Sequence, residues 1–529
     1  MSGIKFSLQA DYWESLELNR GDIEFIYNHL LETEMPCTIS EITRVLVNER
    51  IRLEQEAIAA RQGSGGEIYF PRNDYEIGAD LIFPSLGWLG GRVTDKRPGN
   101  NPDHPGLAVL TVALETGRTS CLAANLAEHK LNEAPKIQDE NGLLDTERVL
   151  ERFGKTLGMR IDRTLEDGDE FVRIAGRWFP KALLVDINAG HLNLAEAVLD
   201  MSGGGPLSTR DLLEAINIRF DENSSLTEFS FDHALWKDER FDEVGPAGQI
   251  LWHLKRLEPV EVLDVPPQLQ YHPIPYDAEQ INGEMTELER LLDDELSDAD
   301  LFDDQPPLDE IVIRLIYPHW RSGTLPLSSR LLPLFPTAYQ TPRIRLNFVN
   351  GETGEKFPGW VVRKSRYVVG LRKFYEANDV IPGSLITVKR GKAPGEVIVQ
   401  SGNRREVREW LRTVLIGSDG NIVLALLKQR VRTTFDDRMA IFVPEMESLD
   451  TVWEKHRRER TPFDKIVIKT MRELAKLSAQ GTVHVSELYA AINLSRRVPP
   501  APILAQLNAR PEFVYMGNHH YQIKDGDGE

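Results

Sequence analysis

PLSTRDLLEAINI (Pro206–Ile218) and TVHVSELYAAINL (Thr482–Leu494) read as two copies of one element. Each begins in a short polar turn and places Ser or Thr where it can cap a helix. Each then puts apolar residues at helical spacing, Leu212, Leu213 and Ile216 in the first copy. A helix precedes each copy, at Leu194–Met201 and at Ile468–Leu477. One more helix and an aromatic hairpin follow: RFDEV (Arg240–Val244) in one copy, RPEFVYMG (Arg510–Gly517) in the other. Glu24–Val45 carries a fainter copy of the two-helix part, around LETEMPCTI (Leu31–Ile39). The polar loop turns the chain, the second helix packs its apolar side on the first, and the hairpin closes the open edge of a small core.

These units resemble the HARE-HTH winged helices, a group that includes the N-terminal domain of the bacterial RNA polymerase delta subunit. The resemblance covers about 65 residues each time and implies roles in transcription or chromatin, through DNA or through protein. Asp232, Asp238 and Glu239 lie in the expected third helix of the first copy, so protein contact is expected there. The terminal copy has Arg496 and Arg497 at the start of its third helix. Arg510, His519, His520 and Lys524 lie near its wing, and DNA contact is expected.

The richest basic segment is GWVVRKSRYVVGLRKFYEANDVIPGSLITV (Gly359–Val388). It reads as strand, turn, strand, short helix, turn, strand, with Trp360, Val362 and Val368 alternating as a half-buried strand should. It is similar to the plant B3 domain and to related effector domains of restriction endonucleases, the DNA-binding pseudobarrels. The likeness lies in the helix ending at Phe374, the Asn378 loop, Ile381-Pro382-Gly383 and the strand after it. Gly383-Ser384 stands where the family often has Gly-Asp. The resemblance implies strands and loops laid into the major groove. The Arg363, Lys364, Ser365, Arg366 loop would be the reader, since Arg pairs with guanine and Lys and Ser suit phosphate. Arg343, Arg345, Arg404 and Arg405 would complete a phosphate-tracking rim, and Arg372 and Lys373 extend the basic stretch.

The 529 residues argue for several domains, and the expected class is multidomain α+β. The expected divisions are an N-terminal helix-turn-helix-like segment (1–62), a small SH3-like β-barrel (63–130), a partial winged helix (140–185) and a winged helix (189–260). After them come a Pro-rich and acidic linker (261–306), the basic pseudobarrel (307–446) and a terminal winged helix (461–524). Cys37 and Cys121 are far apart and exclude a disulfide scaffold or a Cys-rich zinc site. The N-terminus lacks a signal pattern and no apolar run could span a bilayer, so a cytoplasmic, bacterial setting with no membrane partner is expected.

The net charge of −20 opposes phosphate binding. Its distribution is uneven. An acidic run, Asp293-Asp294-Glu295 to Asp309-Glu310, is followed by the basic barrel. Gly203-Gly204-Gly205 lacks the Gly-Lys-Ser/Thr of a phosphate loop, no zinc motif appears, and no Gly-x-Ser-x-Gly elbow occurs. Asp232, Lys237, Asp238 and Glu239 are close in sequence, but on a helix rather than on adjacent strands, so no nuclease centre is expected. Trp88, Trp178, Trp236, Trp252 and Trp320 read as core anchors. The expected protein is therefore not an enzyme, needs no cofactor or metal, and binds DNA as a transcription- or genome-associated adaptor. The alternatives are an acidic protein-interaction scaffold, for example on RNA polymerase, and the recognition chain of a defence or restriction system.

Overall fold

The computed structural model describes residues 12–63, 66–86, 89–101, 104, 106–132, 143–217, 224–302, 306, 308–418 and 420–524. The fold is mixed α+β with six sheets among these residues. Its contacts divide it into two units. One is Met1–Asp186 with Phe220–Ser230, and the other is Ile187–Arg219 with Phe231–Glu529.

In the first unit, Asn19 caps the helix Arg20–Thr33 through a capping box with Asp22. Cys37–Thr38 is a short strand and Ile39–Gly63 the next helix. Asp145 then caps Thr146–Asp167. Phe171–Ile174 and Arg177–Pro180 form a hairpin whose turn residues, Ala175 and Gly176, both have positive φ, as a tight hairpin turn requires. Ile26, Leu30, Ile42, Leu46, Ile161, Leu165, Phe171 and Trp178 share one core. The segments expected as separate domains at 1–62 and 140–185 are therefore two halves of one body. Period and capping locate helices but do not reveal which of them meet. Between the halves lies a five-stranded sheet with its own core of Leu81, Phe83, Val93, Leu110 and Val112. Its strands are Glu67–Ile68, Asp80–Phe83, Leu89–Pro98, Ala108–Leu114 and Thr119–Ala124.

In the second unit, helices Ala189–Met201 and Thr209–Ala215 flank the short strand Leu207–Ser208, and Ser208 caps the second helix with Asp211 in a capping box. Phe231, Leu235, Phe241 and Trp252 close this core. The terminal segment repeats the arrangement: Phe463–Ala475, strand Thr482–His484, Val485–Ile492, Pro500–Ala509 and a hairpin of Phe513–Gly517 with His520–Ile523. In all three places the short strand pairs antiparallel with the second strand of the hairpin, giving the same sheet order three times.

Between these segments lies a curled seven-stranded sheet. Its order is Glu310–Arg314, Leu385–Arg390, Glu396–Gln400, Arg343–Asn350, Lys356–Val362, Tyr367–Val369, Thr324–Pro326. All neighbours are antiparallel except Arg343–Asn350 with Glu396–Gln400. The helix Arg372–Ala377 falls where the sequence places it, and Gly383 turns at φ 91°. Residues 403–442, expected within the pseudobarrel, form a separate three-stranded sheet instead. In it a long hairpin, Asn403–Ile416 with Ile422–Thr433, is joined by the short strand Ile441–Phe442.

The expected linker is not a solvated connector. Asp293, Asp294 and Glu295 are buried. Arg497 Nη2 lies 2.5 Å from Asp294 and 2.7 Å from Glu295, His319 Nε2 lies 3.1 Å from Glu295, and Tyr489 donates to Asp294. A run of acids reads as solvent-facing only until its counter-charges are seen, and these come from residues 24 to 203 positions away. Among the tryptophans, Trp178 and Trp252 are buried as expected, Trp236 is 47% exposed, and Trp88 lies outside the described residues.

Candidate nucleic-acid interface

The arginines expected to read nucleic acid are mostly engaged inside the fold. Arg343 pairs with Asp242, and its Nε lies 3.6 Å from Glu258. Arg345 lies over the Trp360 ring at 5.7 Å, and burial lowers its pKa. Arg363 donates to the carbonyls of Phe335 and Pro336 at 2.9 and 3.0 Å, closing the end of a short helix. Arg366, at φ 54°, donates to the Glu295 carbonyl at 2.8 Å, so the acidic segment covers it. Lys364 is exposed and Ser365 half-buried. Arg372 and Lys373 are exposed on the helix Arg372–Ala377, Arg372 reaching the Ser322 carbonyl at 3.4 Å. Arg497 is fully buried, and Arg496 donates to the Thr461 carbonyl at 3.4 Å. Arg405 is exposed on the long hairpin, while the Arg404 side chain lies outside the described residues. The structure does not bring these residues to one face.

A different basic surface is assembled on the long hairpin. The register pairs Arg408 with Arg430, Trp410 with Lys428, and Arg412 with Leu426. Side chains alternate along a strand, and directly opposed residues share a face. Arg408, Trp410, Lys428 and Arg430 therefore stand on one side of the ribbon, all exposed. Trp410 is 63% exposed, and Lys428 Nζ lies 5.3 Å from its ring centroid. Opposed arginines repel, so this face carries a local cost that a bound anion would reduce. Glu406 lies 3.7 Å from Arg430, and Asp379 3.2 Å from Arg432. Both pairs are more than half exposed on the arginine side, and such pairs contribute little.

The hairpin is held at both ends on opposite faces. Near its open end, Leu411 and Val431 pack with Ile381 and Ala440. Near its tip, Val414 and Leu424, on the face of Trp410, pack into the core of the terminal segment. The middle of the Trp410 face is left uncovered between these anchors, on a rigid ribbon rather than a loose loop. Sequence reasoning took in Arg405 and missed Arg408, Trp410, Lys428 and Arg430. Their signal was the period-two placement of Arg408 and Trp410 on one strand and of Lys428 and Arg430 on the other, legible only once the two strands are paired in register.

Two of the acids that lie close to Lys237 in sequence, Asp232 and Asp238, have structural partners. Asp232 is buried and accepts from Trp252 Nε1 at 2.9 Å and from Thr209, and Asp238 accepts from the Arg240 guanidinium at 2.7 Å. Comparison with protein-family models, curated proteins and solved structures finds no match to this chain. No helix among the described residues is long and apolar enough to cross a membrane.

Proposed function

We propose that this chain binds nucleic acid, DNA first, through the Trp410 face of its long hairpin. The observation that carries the reading is an exposed indole set among Arg408, Lys428 and Arg430 on one face of a two-stranded antiparallel ribbon. A ribbon of this kind fits the major groove, and an exposed indole stacks on unpaired bases. The thrice-repeated helix and hairpin topology supports the winged-helix reading, and the curled sheet with its Gly383 turn supports the pseudobarrel reading. Both readings favour a genome-associated adaptor, with the reader moved from the Arg363–Arg366 loop to the hairpin.

Arg408→Glu with Arg430→Glu should abolish the mobility shift of single-stranded or duplex DNA at low salt. Arg363→Glu would be uninformative, because it breaks carbonyl contacts within the fold. A double variant that shifts DNA like the parent protein rules out the hairpin as the reader.

A second reading, protein interaction, is favoured by the opposite face of the same hairpin. There Leu415 and Val423 are directly paired and, with Leu427, are 37–41% exposed. The strand Ile422–Thr433 is also an edge of its sheet. Leu427→Lys, which leaves the basic face intact, should abolish protein capture and spare DNA binding if this surface serves a partner.

A further inference from the structure

A second basic feature lies in the same unit, away from the hairpin's outward face. It is a cavity of about 550 Å³ lined by residues of four elements, Ile466 of the helix Phe463–Ala475 among them. Pro267, Gln270 and His272 come from the Pro-rich segment. Trp453, His456, Arg457 and Arg460 come from the helix Met446–Glu459 and its C-terminal cap. Ser495, Arg496 and Arg497 come from the turn ahead of the last helix. No aspartate or glutamate lines it.

We propose that this cavity binds a phosphoryl group, as free diphosphate or on a nucleotide. Arg457 and Arg460 are exposed at its wall, with guanidinium groups available for bidentate contact to phosphate oxygens. Arg496 is half-buried, and its bond to the Thr461 carbonyl holds it at the wall. Arg497 has no exposed surface, and its Nε has no hydrogen-bond partner among the described residues, although it lines the cavity. A buried donor left unpaired costs free energy. Asp294 and Glu295 balance the charge of Arg497, so Arg457, Arg460 and Arg496 supply the excess. Burial keeps His456 below its usual pKa, so it adds a polar group rather than charge near neutrality. Trp453 is fixed by its Nε1 bond to the Leu494 carbonyl at 2.6 Å and presents an aromatic wall beside the arginines. A nucleotide base would find a stacking partner there.

The inference is independent of the hairpin reading. The test is calorimetric titration of the full chain with pyrophosphate, with adenosine monophosphate and with adenosine, at fixed ionic strength. Binding of pyrophosphate or of the monophosphate, with none for adenosine, is the expected result. Tighter binding of the monophosphate identifies a nucleotide, and tighter binding of pyrophosphate identifies the free anion. Arg457→Glu and Arg496→Gln should each weaken binding about ten-fold or more, and Arg457→Lys should restore part of it. Thermal melts verify that the variants fold, and Arg408→Glu should leave the affinity unchanged. No heat with either anion, equal binding of adenosine, or unchanged affinity in folded Arg457→Glu overturns the proposal.

Discussion

A fully buried guanidinium requires its counter-charges at hand, and Arg497 has two. Burial raises the Asp294 carboxyl above its usual range. Glu295 is held below that range despite burial, by the charge of Arg497 and the neighbouring His319 imidazole. Arg497→Met should leave these acids without their cation and destabilise the protein by about 3–5 kcal/mol, read from the urea midpoint. Glu243 gives a different prediction. Burial pushes it up to about 7 from an ordinary 4.5, although the amides of Gly245 and Gln340 donate to it. The folded state therefore holds this proton where the unfolded chain has lost it. Stability should fall as pH rises from 4.5 to 7, by roughly 1.4 kcal/mol per pH unit from this group, and then level off. Glu243→Gln should flatten that slope in melting curves recorded across the window, and an unchanged slope would show that Glu243 titrates normally.

At the scale of the element, the long hairpin shows how position along a ribbon changes what one face does. Its Trp410 face is buried at the tip through Val414 and Leu424 and open at Trp410 itself. Trp410→Ala removes a stacking surface without removing charge. It should weaken single-stranded DNA by about 1–3 kcal/mol and duplex DNA less, measured by fluorescence anisotropy. Equal losses on both would point to groove contact instead of stacking. The turn into the curled sheet is equally constrained. A Cβ on Gly383 would lie 2.4 Å from the Ala440 backbone, at a φ of 91° that side chains rarely adopt. Gly383→Ala should therefore lower the melting temperature, with a cost of about 1–3 kcal/mol from the backbone conformation alone.

At the scale of the whole molecule, a net charge of −20 surrounds a small basic surface. Binding must then depend steeply on salt. About four phosphates neutralised by Arg405, Arg408, Lys428 and Arg430 would give a slope of about −3 to −4 in log K against log salt for duplex DNA. A slope near zero would mean that phosphate contacts do not drive association.

Much of the local structure was legible in the chain. Periodicity located the helix of each repeat and Ser208 caps the first as expected, whereas His484 rather than a Ser or Thr caps the terminal one, and Pro382-Gly383 marked the turn into a strand of the curled sheet. These signals are local, since a cap or a positive φ depends on residues a few positions away. The tertiary structure alone decided which arginines remained available. Arg363 and Arg366 look like readers in a row of basic residues, yet they meet carbonyls 27 and 71 positions away. It also joined 1–62 to 140–185 and set Arg408 opposite Arg430. The physical reason is that a charge is free or engaged according to what packs against it, and packing partners distant in sequence leave no mark in composition or period.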